Sequence, residues 1–203
     1  QYAIANMYFK GIGVDVDYER AFNKNKSSKT EYACSYVGYI YEKGLGVEQD
    51  YKTAIKWYEK SAQMGNSNSA YNLGVMYKMG QGTEVDFEKA ISWYEKAAEK
   101  NNENAICNLA MMYRFGEGVE VDYEKSMELY KKAAELGSES AICQVGYMYN
   151  QGLGVEQDYL KAREWYEKGA ILGYPDAQCN LGYIYQEGLG VEVNYQEAIK
   201  WYE

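Results

Sequence analysis

GLGVEQDY stands at Gly44 to Tyr51 and again, letter for letter, at Gly152 to Tyr159, and GLGVEVNY follows at Gly188 to Tyr195. Eight residues do not recur in order by chance, and a fixed period read from such a stretch decides the fold. The paired glycines behind it fall at Gly11/Gly13, Gly44/Gly46, Gly80/Gly82, Gly116/Gly118, Gly152/Gly154 and Gly188/Gly190, one step of 33 residues and then four of 36. Trp57, Trp93, Leu129, Trp165 and Trp201 keep the 36-residue step, and so do Tyr58, Tyr94, Tyr130, Tyr166 and Tyr202.

Within one period, SAYNLGVMYKMG (Ser69 to Gly80) carries Leu73, Met76 and Tyr77 with a small Gly74 among them, which is helical spacing. We name this helix A. Gly80 stands where a left-handed glycine ends a helix, and Gly82 lets the loop turn back. Asp86 is placed to cap a second helix, B, whose broad apolar face is Phe87, Ala90, Ile91, Tyr94, Ala97 and Ala98. Asp17, Asp50, Asp122, Asp158 and Asn194 take the capping place in the other copies. A single hairpin of this kind cannot bury its apolar face, so copies must stack. The prediction is all-α, a right-handed α-solenoid forming one repeat domain over 1–203. Its units run over about 1–32, 33–68, 69–104, 105–140, 141–176 and 177–203. The small residues Gly38, Gly74, Ala110, Gly146 and Gly182 are expected where helices bring their backbones together.

The pattern A-x-x-x-L-G-x-x-Y-x-x-G-x-G-V-x-x-D-Y-x-K-A-x-x-W-Y-x-K-A-A resembles the Sel1-like repeat family, a relative of tetratricopeptide arrays. In one unit it is carried by Ala141, Val145, Gly146, Tyr149, Gly152, Gly154, Val155, Asp158, Tyr159, Lys161, Ala162, Trp165, Tyr166 and Lys168. The first unit departs from it. AFNKNKSSKTEYA (Ala21 to Ala33) lacks the Trp-Tyr pair and is polar and basic, so its helix B is expected to be short, frayed or replaced by a loop. The last unit stops at Trp201-Tyr202-Glu203, inside helix B, and either more chain or a covering partner is expected at an uncapped edge.

Composition narrows the function. The chain has 203 residues, 47% hydrophobic and 25% charged, as soluble globular proteins do. Its apolar runs fall far short of the roughly 20 residues that span a bilayer, so direct membrane insertion is not expected. A net charge of -9 opposes binding to a phosphate backbone, so nucleic acid is not an expected partner. The absence of His removes the commonest general base and metal ligand. The G-x-G pair follows a helix rather than a strand, unlike a dinucleotide loop. Acidic pairs such as Glu117 with Glu120 and Asp15 with Asp17 belong to the repeated loop, where capping and solvation account for them. No cofactor, metal or catalytic residue is expected, and the chain reads as a non-enzyme.

Cys107, Cys143 and Cys179 are 36 residues apart and occupy one position on successive A helices. Helices packed at roughly 8 to 10 Å keep such residues beyond the ~7 Å that a disulfide spans. Cysteine-rich bacterial members of the resembled family staple each hairpin through a second Cys in helix B. The corresponding Ala97/Ala98 and Ala133/Ala134 offer none. Buried or half-buried free thiols are expected, which leans towards a reducing compartment, the cytoplasm.

By analogy with related solenoids, the A helices line the concave face. Counted from the small first residue of helix A, positions 3, 7 and 10 form one stripe. The stripe reads Ser35, Tyr39, Glu42; Tyr71, Val75, Lys78; Cys107, Met111, Arg114; Cys143, Tyr147, Asn150; and Cys179, Tyr183, Gln186, with Tyr36, Asn72, Asn108, Gln144 and Asn180 beside it. From it we take Tyr39, Tyr71, Asn72, Asn108, Met111, Arg114, Tyr147, Asn180 and Tyr183 as the partner-binding set. Tyrosine offers contact area at low entropic cost and amides can pair with an extended backbone. The amides serve equally as packing residues between repeats, and Arg114 and Lys78 either attract an acidic group or sit in surface ion pairs. The expected function is a non-catalytic adaptor for a protein or peptide. The alternative is a spacer or regulatory segment whose active part lies elsewhere.

Overall fold

The computed structural model describes residues 2–13, 15–27 and 30–203. Its described residues form helices alone, in A and B pairs: α1 (Tyr2–Lys10) and α2 (Tyr18–Ser27), α3 (Glu31–Lys43) and α4 (Tyr51–Gln63), α5 (Ser67–Met79) and α6 (Phe87–Ala98), α7 (Glu103–Phe115) and α8 (Tyr123–Glu135), α9 (Glu139–Gln151) and α10 (Tyr159–Ile171), α11 (Pro175–Glu187) and α12 (Tyr195–Tyr202). The predicted all-α stack of helical hairpins is the observed architecture. It divides into two compact units, Gln1–Ala105 and Ile106–Glu203.

The repeated loop does three jobs. Its first glycine ends helix A: Gly80 has φ 67° and donates its N–H to the Met76 carbonyl. Its aspartate starts helix B, the Asp86 carboxylate accepting from the Lys89 N–H at 2.9 Å. The same aspartate ties the hairpin shut, since the Asp86 N–H donates to the Tyr77 carbonyl at 2.9 Å. The pattern holds at Asp17, Asp50, Asp122, Asp158 and Asn194, which accept from the N–H groups of Arg20, Thr53, Lys125, Lys161 and Glu197. The second glycine does more than turn the chain. A Cβ on Gly82 would lie 2.5 Å from the Tyr51 Cβ, and one on Gly154 would overlap the backbone of Tyr123. The loop of each such hairpin therefore rests on the start of the preceding B helix.

Helix A begins two residues before the Ser69 that sequence spacing suggested. Asn66 caps it, accepting from the Ser69 N–H at 2.9 Å, and Thr30, Asn102 and Ser138 cap α3, α7 and α9 in the same way. The central glycines have a different cause from the backbone approach expected of them. Each is the floor beneath a tyrosine ring of its partner helix B: a Cβ on Gly38, Gly74, Gly146 or Gly182 would lie 2.5–2.8 Å from the ring of Tyr58, Tyr94, Tyr166 or Tyr202. Tyr58 and Tyr94 are fully buried this way, and Ile55, Leu73 and Met76 join Tyr58 in one cluster between successive hairpins. Burial of such side chains stabilises by about 1.5–3 kcal/mol each, which a lone hairpin would forgo.

The first hairpin keeps its B helix. α2 has 10 residues against 13 in α4, and Ala21 and Phe22 are buried in it. Asn25 stands where the other hairpins put the core tyrosine. It is 1% exposed, and neither polar atom of its amide has a hydrogen-bond partner.

Candidate functional site

In the first unit, helix α3 buries Val37, Gly38 and Ile40 and leaves Ser35 and Tyr36 half-buried and Tyr39 exposed on its other side. Phe9 of α1 lies against this row, its ring centroid 5.2 Å from that of Tyr36 and 5.9 Å from that of Tyr39, both edge to face. The Tyr36 hydroxyl donates to Asn6 Oδ1 at 3.2 Å. With Asn72 of α5 these residues line an open cavity of about 260 Å³. Below it the Glu42 carboxylate is occupied, accepting from the Tyr58 hydroxyl at 2.7 Å and from Lys43 Nζ at 2.6 Å. Burial, then the Glu42 charge, pushes the Tyr58 phenol well above the usual range, while a hydrogen bond with Asn72 acts the other way.

The second unit has its own groove, of about 410 Å³, lined by Arg114 of α7, Cys143, Gln144 and Tyr147 of α9, and Asp176, Cys179 and Asn180 of α11. Arg114 Nη1 donates to Gln144 Oε1 at 2.6 Å, and its guanidinium carbon stands 4.6 Å from the Tyr147 ring centroid and 4.9 Å from that of Phe115. Burial raises the Tyr130 phenol to about 12, with the nearby Arg114 charge opposing the rise. Burial likewise raises the Cys143 thiol to about 11, helped by the charges of Asp176 and Glu139.

The two grooves are built on one register. Phe9 in α1 and Arg114 in α7 occupy the last position of the predicted stripe, and each packs on the amide-row residue and the stripe tyrosine of the following A helix. The pairs are Phe9 on Tyr36 and Tyr39, and Arg114 on Gln144 and Tyr147.

Of the nine predicted residues, Tyr39 and Asn72 line the first cavity, and Arg114, Tyr147 and Asn180 the second. Tyr183 and Met111 are exposed at 48% and 37% but line neither cavity. Tyr71 is half-buried with its ring 6.0 Å from that of Tyr94, a packing position, and Asn108 is half-buried as well. Phe9, Gln144 and Asp176 complete the sites without having been chosen. Phe9 was legible, since it precedes Glu42 by 33 residues, the same step as the glycines.

All four cysteines are free thiols. Cys107 and Cys143 are buried as expected, Cys107 Sγ lying 3.3 Å from Ser138 Oγ at the cap of the next A helix. Cys179 departs from expectation and is exposed. Among the described residues no cluster of three or more Cys, Asp or Glu is placed to hold a metal ion, and no helix is long and apolar enough to cross a membrane.

Comparison with known proteins agrees with this geometry. A solved Sel1 repeat protein from Oxalobacter formigenes is 32% identical, with a TM-score of 0.91 over 100% of this chain and 83% of its own. The protein c5321, a protective antigen of uropathogenic Escherichia coli strains with an SLR fold, is 37% identical, with a TM-score of 0.89 over 99% of this chain and 44% of its own. The immunity protein Pa5087 from Pseudomonas aeruginosa shares the fold alone, at 19% identity and a TM-score of 0.61 over 98% of this chain and 80% of its own. A search of curated proteins gave no match. The family model for the Sel1 repeat matches residues 1–23, 31–66, 67–102, 104–138, 139–174 and 175–203, and the chain belongs to the Sel1 repeat family.

Proposed function

We propose that the chain is a non-catalytic scaffold that binds a protein or peptide segment on the face lined by its A helices. Sel1 repeat proteins generally mediate protein–protein interaction, and their relatives of this fold are generally non-catalytic. The observation that carries the reading is the recurrence of one arrangement in both compact units: an exposed tyrosine, Tyr39 or Tyr147, beside an amide, Asn72 or Asn180, over an open groove. Tyrosine and amide side chains suit an extended backbone, the ring supplying area and the amide both a donor and an acceptor. The grooves are open, and Tyr39 and Tyr147 are each 38% exposed beside them.

The test is retention from source-cell lysate by the chain and by a Tyr39→Ala, Tyr147→Ala, Tyr183→Ala variant whose helicity is confirmed by circular dichroism. A protein held by the parent and released by the variant supports the reading. Equal retention by both, or by neither, sinks it.

A further inference from the structure

The groove of the second unit presents a cation, Arg114, held in place by its neighbours. Arg114 is half-buried, fixed by Gln144 and Tyr147, and backed by Phe115. Among the described residues no carboxylate pairs with it. Among the described residues, Arg20, Lys89, Lys125, Lys161, Arg163 and Lys200 each pair with a carboxylate three or four residues away, whereas Arg114 is held inside a groove by an amide carbonyl and two aromatic rings. A guanidinium held in one orientation by ring faces loses little freedom on pairing, and its planar fork matches a carboxylate through two parallel hydrogen bonds. Gln144 lines the same groove and gives its carbonyl to Arg114, a bond that does not use its amide N–H groups. Across from Arg114, on α11, stand Asn180 and the exposed carboxylate of Asp176.

We propose that Arg114 receives the side-chain carboxylate of an Asp or Glu in an extended partner segment, with Gln144 and Asn180 pairing to the backbone beside it. Asp176 repels a second negative charge, so the fitting segment carries one acid at the Arg114 end and a neutral or basic residue at the α11 end. The overall charge of -9 favours the same neutral-to-basic flank. This rests on the peptide-binding reading above and gives it a sequence preference.

The experiment selects random dodecapeptides displayed on phage against the whole chain, followed by fluorescence anisotropy of a selected peptide, its acid-to-amide variant and its C-terminally amidated form. The expected selection shows one fixed acidic position. Replacing that residue by its amide weakens binding by about tenfold or more, as loss of a charge-assisted pair does, and the amidated form binds as before. Arg114→Gln in the protein reproduces the loss without adding to it, while Arg114→Lys, keeping the charge, loses less. Peptides that need Tyr147 but show no acidic preference overturn the role of Arg114 and leave the groove reading standing. Sensitivity to C-terminal amidation in place of the side chain also overturns it, by assigning Arg114 to a chain terminus. Absence of binders, or binders indifferent to Tyr147→Ala, overturns both.

Discussion

The ring of Tyr94 lies on Gly74 so closely that a Cβ at that glycine would stand 2.5 Å from its Cδ1 and Cε1 atoms. The contact explains why a helix-weakening residue sits mid-helix: the fold gives up helix propensity to seat an aromatic ring. Gly74→Ala is therefore expected to destabilise by about 1–3 kcal/mol, overpacking outweighing the gain in propensity. Ala110 stands at the same place with Tyr130 still buried, so the hairpin has a way to fit a methyl and the cost stays moderate. Urea denaturation of Gly74→Ala against the parent measures it, and an unchanged midpoint contradicts the packing argument.

Acid should loosen the B helices selectively. A hydrogen bond with Thr53 holds the Asp50 carboxyl below its ordinary value of 3.8, one with Lys89 does so for Asp86, and the Lys161 backbone N–H does so for Asp158. A folded-state value below the unfolded one means stability that is present above about pH 4 and lost as pH falls through the folded value. Asn194 caps α12 without a charge, which shows that an amide can do the work. A triple Asp50→Asn, Asp86→Asn, Asp158→Asn variant is expected to lose less melting temperature than the parent between pH 6 and pH 3. Parallel curves would remove the caps from the acid response.

Asn25 offers a stabilising change. Its amide is buried with both polar atoms unpartnered, at the position where Tyr58 and Tyr94 fill the core. Removing a buried unsatisfied amide relieves a penalty of about 1–3 kcal/mol, so Asn25→Leu is expected to raise the denaturation midpoint. A lowered midpoint would mean that the amide has a partner in solution.

Thiol chemistry should single out one cysteine. Cys34, Cys107 and Cys143 are buried and Cys179 is exposed on the groove. Titration of the native chain with a thiol-reactive disulfide is expected to give one fast equivalent, mapped to Cys179 by mass spectrometry, with the other three released on denaturation. Fast reaction of Cys143, whose thiol is held protonated by burial, would contradict the burial pattern.

Sequence spacing alone carried the helices, the caps of the B helices and the period, because those depend on residues repeated at fixed offsets. It misread the central glycines, since the tyrosine that needs each of them lies 20 residues on, in another helix, and spacing does not reveal a ring's direction. Of the three outcomes open for the first B helix, short, frayed or a loop, the structure has the short helix, α2 with 10 residues, and the buried Ala21 and Phe22 seat it without the Trp-Tyr pair. At the candidate site, the stripe located the exposed tyrosines, but not that Phe9 and Arg114 pack on the next helix or that Tyr71 packs near Tyr94. Those depend on which neighbour each side chain meets.

The central claim is that the A-helix face binds a protein segment. Its most direct test is the affinity of the captured partner for the parent chain and for the Tyr39→Ala, Tyr147→Ala, Tyr183→Ala variant, measured by isothermal titration. Truncation of aromatic contacts at an interface predicts a loss of about tenfold or more with folding intact. Equal affinity would place the binding surface elsewhere on the molecule.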